Sequence, residues 1–472
     1  MNPRKSAKSA GHIFCFINYK LKKVLSMRKI VILTILAFSM VFGQAQNQEL
    51  QADYHKKMEW FQEAKLGIFI HWGIYSVLGI GESWSFFNGY ISHEDYLKQA
   101  EDFDAKNYDP EYWASLIKKS GAKYSVITTK HHDGFALWDT KFGNFNSVNN
   151  SPAKEDLIAP FVKTLRNNDI KVGLYYSLPD WSYADYTHFT RKVNRYKIED
   201  EPKRWAKFEK YYHGQMKELK KKFDPDVWWF DGDWEHSAEE WKVTEIKNFL
   251  SKDKPEVIFN SRLRGKGDYA TPEIGMPIHA PKADYWELCM TMNDSWGYQS
   301  NDKHYKSPQQ IIDIFVECLS KGGNLLLDIG PKSDGTIPAE QENILTELGT
   351  WVSKHKEAIY KTKRGIPYEY YYGPTALSKD STELFLYLRD IPKDGKIVLR
   401  GIENKIHRAH VVGNGTILNR EVFCNVWWSK YPGLIYIDIP ENVIDKYYTV
   451  IAIKLDGKIK LYDKKSKAIE SN

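Results

Sequence analysis

Cysteine is scarce in this chain of 472 residues: four occur, Cys15, Cys289, Cys318 and Cys424, and no two stand as C-x-x-C. That spacing excludes a disulfide framework and argues against a thiolate zinc site. No strand leads into G-x-G-x-x-G and no P-loop is present, so the usual phosphate cradles are missing. H-E-x-x-H is missing too, as is the G-x-S-x-G elbow of a serine hydrolase. There is no internal repeat and no low-complexity linker. Long apolar runs are lacking except for Ile30 to Phe42, which is too short for a stable membrane span.

That single run reads as the apolar core of a signal peptide. Met27-Arg28-Lys29 supplies its charged start, and Gly43-Gln44-Ala45 supplies small residues for cleavage, so the mature chain is expected to begin near Gln46. Residues 1–26 are basic and unpatterned, and Met27 is an alternative start. Residues 1–45 carry eight Lys/Arg and no Asp/Glu, so their removal turns a formal charge of +6 into −2. A near-neutral protein has no electrostatic reason to bind nucleic acid. Removal also leaves an odd three cysteines, enough for one disulfide after export. The leader implies a periplasmic or extracellular protein, and no cysteine follows it to take a lipid anchor.

What the chain has in excess is aromatic: 16 Trp and 30 Tyr. Most are expected in the core, and some along a carbohydrate cleft. Apolar runs at Lys65–Ile70, Tyr124–Thr129, Lys171–Tyr175, Val227–Phe230, Val257–Phe259, Tyr285–Met290 and Asn324–Ile329 read as strands. Helices alternate with them, among them one opened by Asp109-Pro110, a charged one over Glu199–Lys222, one opened by the capping box Ser307-Pro308-Gln309-Gln310, and a last one over Pro338–Tyr360. Such alternation means a parallel sheet covered by helices. A closed (β/α) TIM-like barrel fits better than an open sheet, because polar or aromatic residues sit at nearly every strand's C-terminal end: His71, His131, His132, Tyr176, Asp231, Arg262 and Glu287. From Lys361 the pattern shifts to short alternating runs, the last at Lys458–Tyr462, separated by turn pairs such as Asn414-Gly415 and Asp456-Gly457. This predicts a C-terminal antiparallel β-sandwich. The expected organisation is a leader over 1–45, a barrel over 46–360 and a sandwich over 361–472. Trp427-Trp428 is expected to pack there rather than bind sugar.

The stretch Val227-Trp228-Trp229-Phe230-Asp231-Gly232-Asp233-Trp234 concentrates the chemistry. A buried strand ends in a carboxylate, which is costly unless something pairs with it or uses it. Aromatic faces beside a carboxylate suit a sugar ring with a nucleophile or base under C1; a plain N-cap for the next helix is the alternative. Lys130-His131-His132-Asp133-Gly134 is a poor metal site, because adjacent strand residues face opposite ways. Imidazoles donating to sugar hydroxyls fit better. Carboxylates, aromatics, histidines and an arginine in a barrel mouth point to glycoside hydrolysis by two carboxylates.

The motifs Gly67-Ile68-Phe69-Ile70-His71-Trp72-Gly73, Thr129-Lys130-His131-His132-Asp133-Gly134-Phe135, Trp229-Phe230-Asp231-Gly232, Ser295-Trp296-Gly297-Tyr298 and Ser320-Lys321-Gly322-Gly323-Asn324 follow one another in order. Together they resemble glycoside hydrolase family 29, the α-L-fucosidases, from about residue 55 to about residue 360. The resemblance implies retaining hydrolysis of terminal α-L-fucose on oligosaccharides or glycans, without metal or organic cofactor. It places the nucleophile on Asp231 and sugar contacts on His71, Trp84, His131, His132, Tyr176, Trp229, Arg262 and Trp286. For the acid/base it offers Glu273, in Thr271-Pro272-Glu273, with Glu287 as runner-up. Thr-Pro-Glu resembles the subgroup acting on α1,3/4-linked fucose. Where the family has Glu-Trp-Tyr, this chain reads Glu82-Ser83-Trp84. The alternatives are an exo-glycosidase for another sugar, such as α-L-galactosides, and a non-catalytic carbohydrate-binding protein.

Overall fold

Strands buried on both faces need partners on both sides, and here they curl into a ring. The computed structural model describes residues 48–463; the leader, its cleavage point and Met27 lie outside the described residues. β1 (Leu66–Ile70), β2 (Tyr124–Lys130), β3 (Lys171–Ser177), β4 (Val227–Asp231), β5 (Ile258–Phe259), β6 (Glu287–Thr291) and β7 (Asn324–Ile329) form one parallel sheet, in the order β5-β4-β3-β2-β1-β7-β6. Of their residues only Lys171 is exposed, as a sheet inside a helical layer requires.

The seam between β5 and β6 is closed by residues 269–273. Parallel bridges join Asn260 to Tyr269, Ala270 to Trp286 and Glu273 to Cys289. Glu287 N donates to Ala270 O at 2.9 Å and Cys289 N to Pro272 O at 3.1 Å. The sequence places a long loop here, because Gly267, Asp268 and Pro272 read as turn residues. Pro272 lacks only the donor; its carbonyl still bonds across, so the segment serves as an irregular eighth strand.

α1 (Pro110–Ser120), α2 (Ile158–Asn167), α3 (Pro202–Phe223), α4 (Val243–Ser251), α5 (Pro308–Ser320) and α6 (Ala339–Lys354) cover the ring. Asp109 caps α1, accepting from Glu111 N and Tyr112 N at 3.0 Å, and Ser307 with Gln310 forms the expected capping box on α5. α6 stops short of Tyr360: His355 leaves the helical region and a 3₁₀ turn, Lys356–Ala358, follows. Strand alternation then sorts side chains. Leu66, Ile68, Ile70, Trp228 and Phe230 join the core under the helices, while Phe69, Trp229 and Asp231 face the barrel interior.

The C-terminal strands are β8 (Thr362–Arg364), β9 (Thr375–Ser378), β10 (Glu383–Leu388), β11 (Lys396–Arg400), β12 (Ile406–Val411), β13 (Arg420–Phe423), β14 (Leu434–Asp438) and β15 (Thr449–Leu455). They form two antiparallel sheets, β8-β9-β10-β15-β12 and β11-β14-β13. One face of the larger sheet (Leu384, Leu386, Ile451, Ile453) meets Leu399, Ile435 and Ile437 of the smaller. Its other face (Phe385, Tyr387, Val450, Ala452) joins the barrel core, where Trp351 Nε1 donates to Tyr448 O at 3.2 Å. Emptying the Trp351 site would cost about 3–5 kcal/mol. Lys458–Tyr462 is not a strand; it contributes one bridge, Leu461 to Ile402. Trp427 does not pack: it is 93% exposed. Cys289, Cys318 and Cys424 are free thiols. No helix of the described residues is long and apolar enough to cross a membrane.

Candidate active site

At the C-terminal mouth of the barrel lies a cavity of about 130 Å³. A larger hollow, about 720 Å³, separates α5 from the sandwich. Its carboxylates are neutralised by neighbours, Asp313 by Arg389 and Glu317 by Lys321, whereas the small cavity gathers groups that chemistry can use.

Asp231 is the last residue of β4. Gly232 follows at φ 79°, where a Cβ would meet Pro179 Cδ at 2.2 Å, so the chain turns away and leaves the carboxylate at the cavity floor. Arg262 Nη1 donates to Asp231 Oδ1 at 2.7 Å, and Tyr175 OH donates to Oδ2 at 2.9 Å. Burial alone would raise the Asp231 pKa; Arg262, His132 and Tyr175 together outweigh it and hold the carboxyl below its ordinary value. Asp231 is therefore an anion at neutral pH.

Arg262 lies over the Trp229 ring at 4.6 Å and pairs its other terminal nitrogen, Nη2, with Glu273 Oε2. One guanidinium thus spans both carboxylates. Glu273 ends the irregular strand and lines the cavity. Its exit is sharp: Gly275 N donates to Glu273 O at 2.6 Å around Ile274, which sits at φ 60°. A γ-type turn with a β-branched residue at positive φ is strained and fixes where Glu273 points. Glu287 is placed otherwise. It is fully buried inside the barrel, accepting from Tyr124 OH and, at 3.1 Å, from Trp229 Nε1. Burial pushes its pKa up to about 7. It holds neither Arg262 nor an open path to the cavity; it holds Trp229.

Hydrogen-bond accounting fixes two of the imidazoles. Ser177 gives its only proton to Pro179 O at 2.6 Å, so His132 Nδ1–H, 2.6 Å away, must be the donor to Ser177 Oγ. Ser83 donates to Asp133 Oδ2 at 3.2 Å and accepts from Asp133 N at 2.9 Å, which leaves His131 Nδ1–H as donor at 2.7 Å. Both rings therefore keep a bare Nε2, and that of His132 has no partner in the protein. The sequence expects these imidazoles to donate to sugar hydroxyls; with Nδ1–H given to serine, each instead presents a lone pair at Nε2. His71 Nδ1 is tied to Asp328 Oδ1 at 2.7 Å. Burial keeps all three rings neutral, with His71 near 3, His132 near 4 and His131 well below 6.5. His131, His132 and Asp231 each bring a ligand atom within 4.8 Å of the other two. Both Asp231 oxygens are already engaged, so a cation there would compete with Arg262 and Tyr175.

Trp84 lines the cavity from the short helix Trp84–Phe87, and Trp234 stacks on it at 6.3 Å and 17°. Glu82, also lining, accepts from Gly297 N. Two expected residues are not in the site. Tyr176 points outward and donates to Gln215 on α3 at 2.7 Å; strand parity gives the inward place to Tyr175. Trp286 lies at the opposite end of its strand and packs where a Gly323 Cβ would come within 2.3 Å. The sequence reading missed Tyr175, Phe69, Trp296 and Asp328. Tyr175 faces inward because it pairs with Trp229, a register that only the structure shows, while a carboxylate inside the run Asn324–Ile329 was the signal for Asp328.

The chain is similar to known proteins in sequence and fold. The family model described as Alpha-L-fucosidase matches residues 40–357. The chain is 35% identical to an alpha-L-fucosidase of Branchiostoma floridae over 333 residues, 64% of this chain and 72% of the relative. Among solved structures, alpha-L-fucosidase isoenzyme 1 of Paenibacillus thiaminolyticus superposes with a TM-score of 0.77 at 32% identity, covering 85% of this chain and 99% of that one. A GH29 alpha-L-fucosidase of Bacteroides thetaiotaomicron, trapped as a covalent intermediate with 2-fluoro-fucosyl fluoride, superposes at 0.75 with 25% identity, covering 85% and 96%.

Proposed function

The chain belongs to the α-L-fucosidases of glycoside hydrolase family 29, and on that premise we propose that it releases terminal α1,3/4-linked α-L-fucose with retention, using Asp231 as nucleophile and Glu273 as acid/base. The observation that carries the assignment is the Arg262 fork between the two carboxylates. Retention needs carboxyls about 5–5.5 Å apart, inversion about 6.5–9.5 Å, and sharing one guanidinium favours the closer spacing.

The ionised Asp231 attacks C1 from below, and Arg262 and Tyr175 keep it charged and aimed. Glu273 protonates the departing glycosidic oxygen, then takes the proton of the water that cleaves the fucosyl ester. Glu273 is paired with Arg262, so proton delivery requires the carboxyl to exchange the guanidinium for the glycosidic oxygen. With 38% of its side chain exposed, Glu273 has room to do so. His131 and His132 accept hydrogen bonds from ring hydroxyls through Nε2, while Trp84, Trp229 and Trp234 offer apolar faces. The linkage rests on the Thr271-Pro272-Glu273 resemblance, and export on residues 27–45.

Fucose release from Lewis-type trisaccharides, compared with an aryl fucoside, tests the linkage. Asp231→Gly should be nearly inactive and recover with azide, giving β-fucosyl azide. An Asp231→Asn variant at the wild-type rate, without deamidation, ends the nucleophile assignment. Amino-terminal sequencing of exported protein should begin near Gln46.

A further inference from the structure

Two carboxylates and an imidazole converge between α3 and α4, apart from the sugar cavity. Glu209 and His213 stand four residues apart on α3, hence on one face, and Glu245 meets them from the first turn of α4. One ligand atom of each lies within 4.8 Å of the other two. None of the three side chains makes a hydrogen bond. His213 is 5% exposed, its Nδ1 stands 3.8 Å from Glu245 Oε1, beyond hydrogen-bond reach, and its Nε2 is buried without a partner. Burial pushes the ring down to about 4, so it is neutral and keeps a lone pair at physiological pH. Burial most of all disfavours the Glu209 anion; Lys242 partly offsets it, and Glu245 adds a smaller push in the same direction as burial.

Left bare, this arrangement is costly twice: two like charges approach each other, and a buried ring goes unpaired. One divalent cation relieves the first and gives the ring a partner at the nitrogen facing Glu245, Nδ1. We propose that Glu209, His213 and Glu245 bind a divalent first-row metal ion, Zn²⁺ or a close relative, with water completing the shell. Imidazole with carboxylates suits this class of ion. Zinc bonds of about 2.0–2.2 Å require the ligand atoms to close in. Glu209 is half-buried and Glu245 exposed, and both are long and unbonded, so they are free to move. The ion cross-links α3 to α4. Residues 232–242 connect Asp231 to α4, and within them Trp241 Nε1 donates to Asp233 O at 2.9 Å.

The test titrates untagged, chelator-stripped enzyme with Zn²⁺ by calorimetry and follows Tm. One equivalent should bind, and Tm should rise with zinc concentration. Glu209→Gln and Glu245→Gln should each weaken binding by roughly tenfold or more, given that a second-shell partner alone is worth about 10–100-fold. Both should keep wild-type kcat/KM on an aryl fucoside. These variants, at one half-buried and one exposed position, carry the test even where His213→Ala does not fold. No binding by the wild type, or binding undiminished in both Gln variants, overturns the proposal. Zinc that only inhibits hydrolysis, equally in wild type and variants, sits instead on His131, His132 and Asp231 and overturns it too.

Discussion

Tyr175 and Tyr176 are consecutive on one strand, and only Tyr175 reaches Asp231, its hydroxyl donating at 2.9 Å while that of Tyr176 donates to Gln215 at 2.7 Å outside the barrel. Tyr175→Phe removes a donor that helps hold Asp231 below its ordinary pKa. A bond to a charged group is worth about 1.5–3 kcal/mol, or roughly 10–100-fold in kcat/KM. The acid limb of the pH–rate profile should move to higher pH, because Asp231 then takes up its proton sooner. Tyr176→Phe should leave the profile in place and cost about 0.5–1.5 kcal/mol of stability. The same acid limb in both variants contradicts this geometry.

Glu273 and Glu287 separate by leaving group. Glu273→Ala should slow substrates with poor leaving groups far more than activated aryl fucosides, which need no proton. Glu287→Ala should act through misplacement of Trp229 and slow both alike. Rates over a series of aryl fucosides of graded leaving-group pKa decide the matter; a steep dependence in Glu287→Ala alone exchanges the two roles.

Burial pushes Glu287 up to about 7 from an ordinary value of 4.5. A raised carboxyl favours folding in its neutral form. Its contribution is complete below the unfolded pKa and declines as pH rises through about 7. Glu287→Gln keeps the acceptor for Trp229 and cannot ionise, so the fall in Tm from pH 5 to pH 8 should be smaller in this variant than in the wild type. An identical fall in both proteins rules Glu287 out as its source.

Hydrolysis by two carboxylates calls for no metal. Prolonged chelation should leave kcat/KM unchanged while lowering Tm if α3 and α4 carry an ion as proposed. Activity that vanishes and returns only with a divalent ion would instead place a metal in the mechanism.

The barrel was legible because periodicity and punctuation agree: buried strand runs, Asp109 and Ser307 at helix starts, and Gly232 at a sharp turn all say the same thing. Most of the site was legible because polar residues follow apolar runs, which is how His71, His131, His132 and Asp231 stand out. The eighth strand was not. Its bonds run through the carbonyls of Ala270 and Pro272, and no side-chain pattern announces a carbonyl.

By itself the sequence determined which residue types arrive at the mouth of the barrel, since a run of buried strand residues must end before a carboxylate or an imidazole can meet water. Tertiary structure alone decided which of them meet. Whether Tyr175 or Tyr176 faces inward depends on the pairing register with the neighbouring strands, and a one-residue shift would reverse it. The roles of Glu273 and Glu287 follow from depth: one ends a strand at the rim beside Arg262, the other is sealed beneath Trp229. The imidazoles present a lone pair at Nε2 because Ser83 and Ser177 have a single proton each and another oxygen takes it.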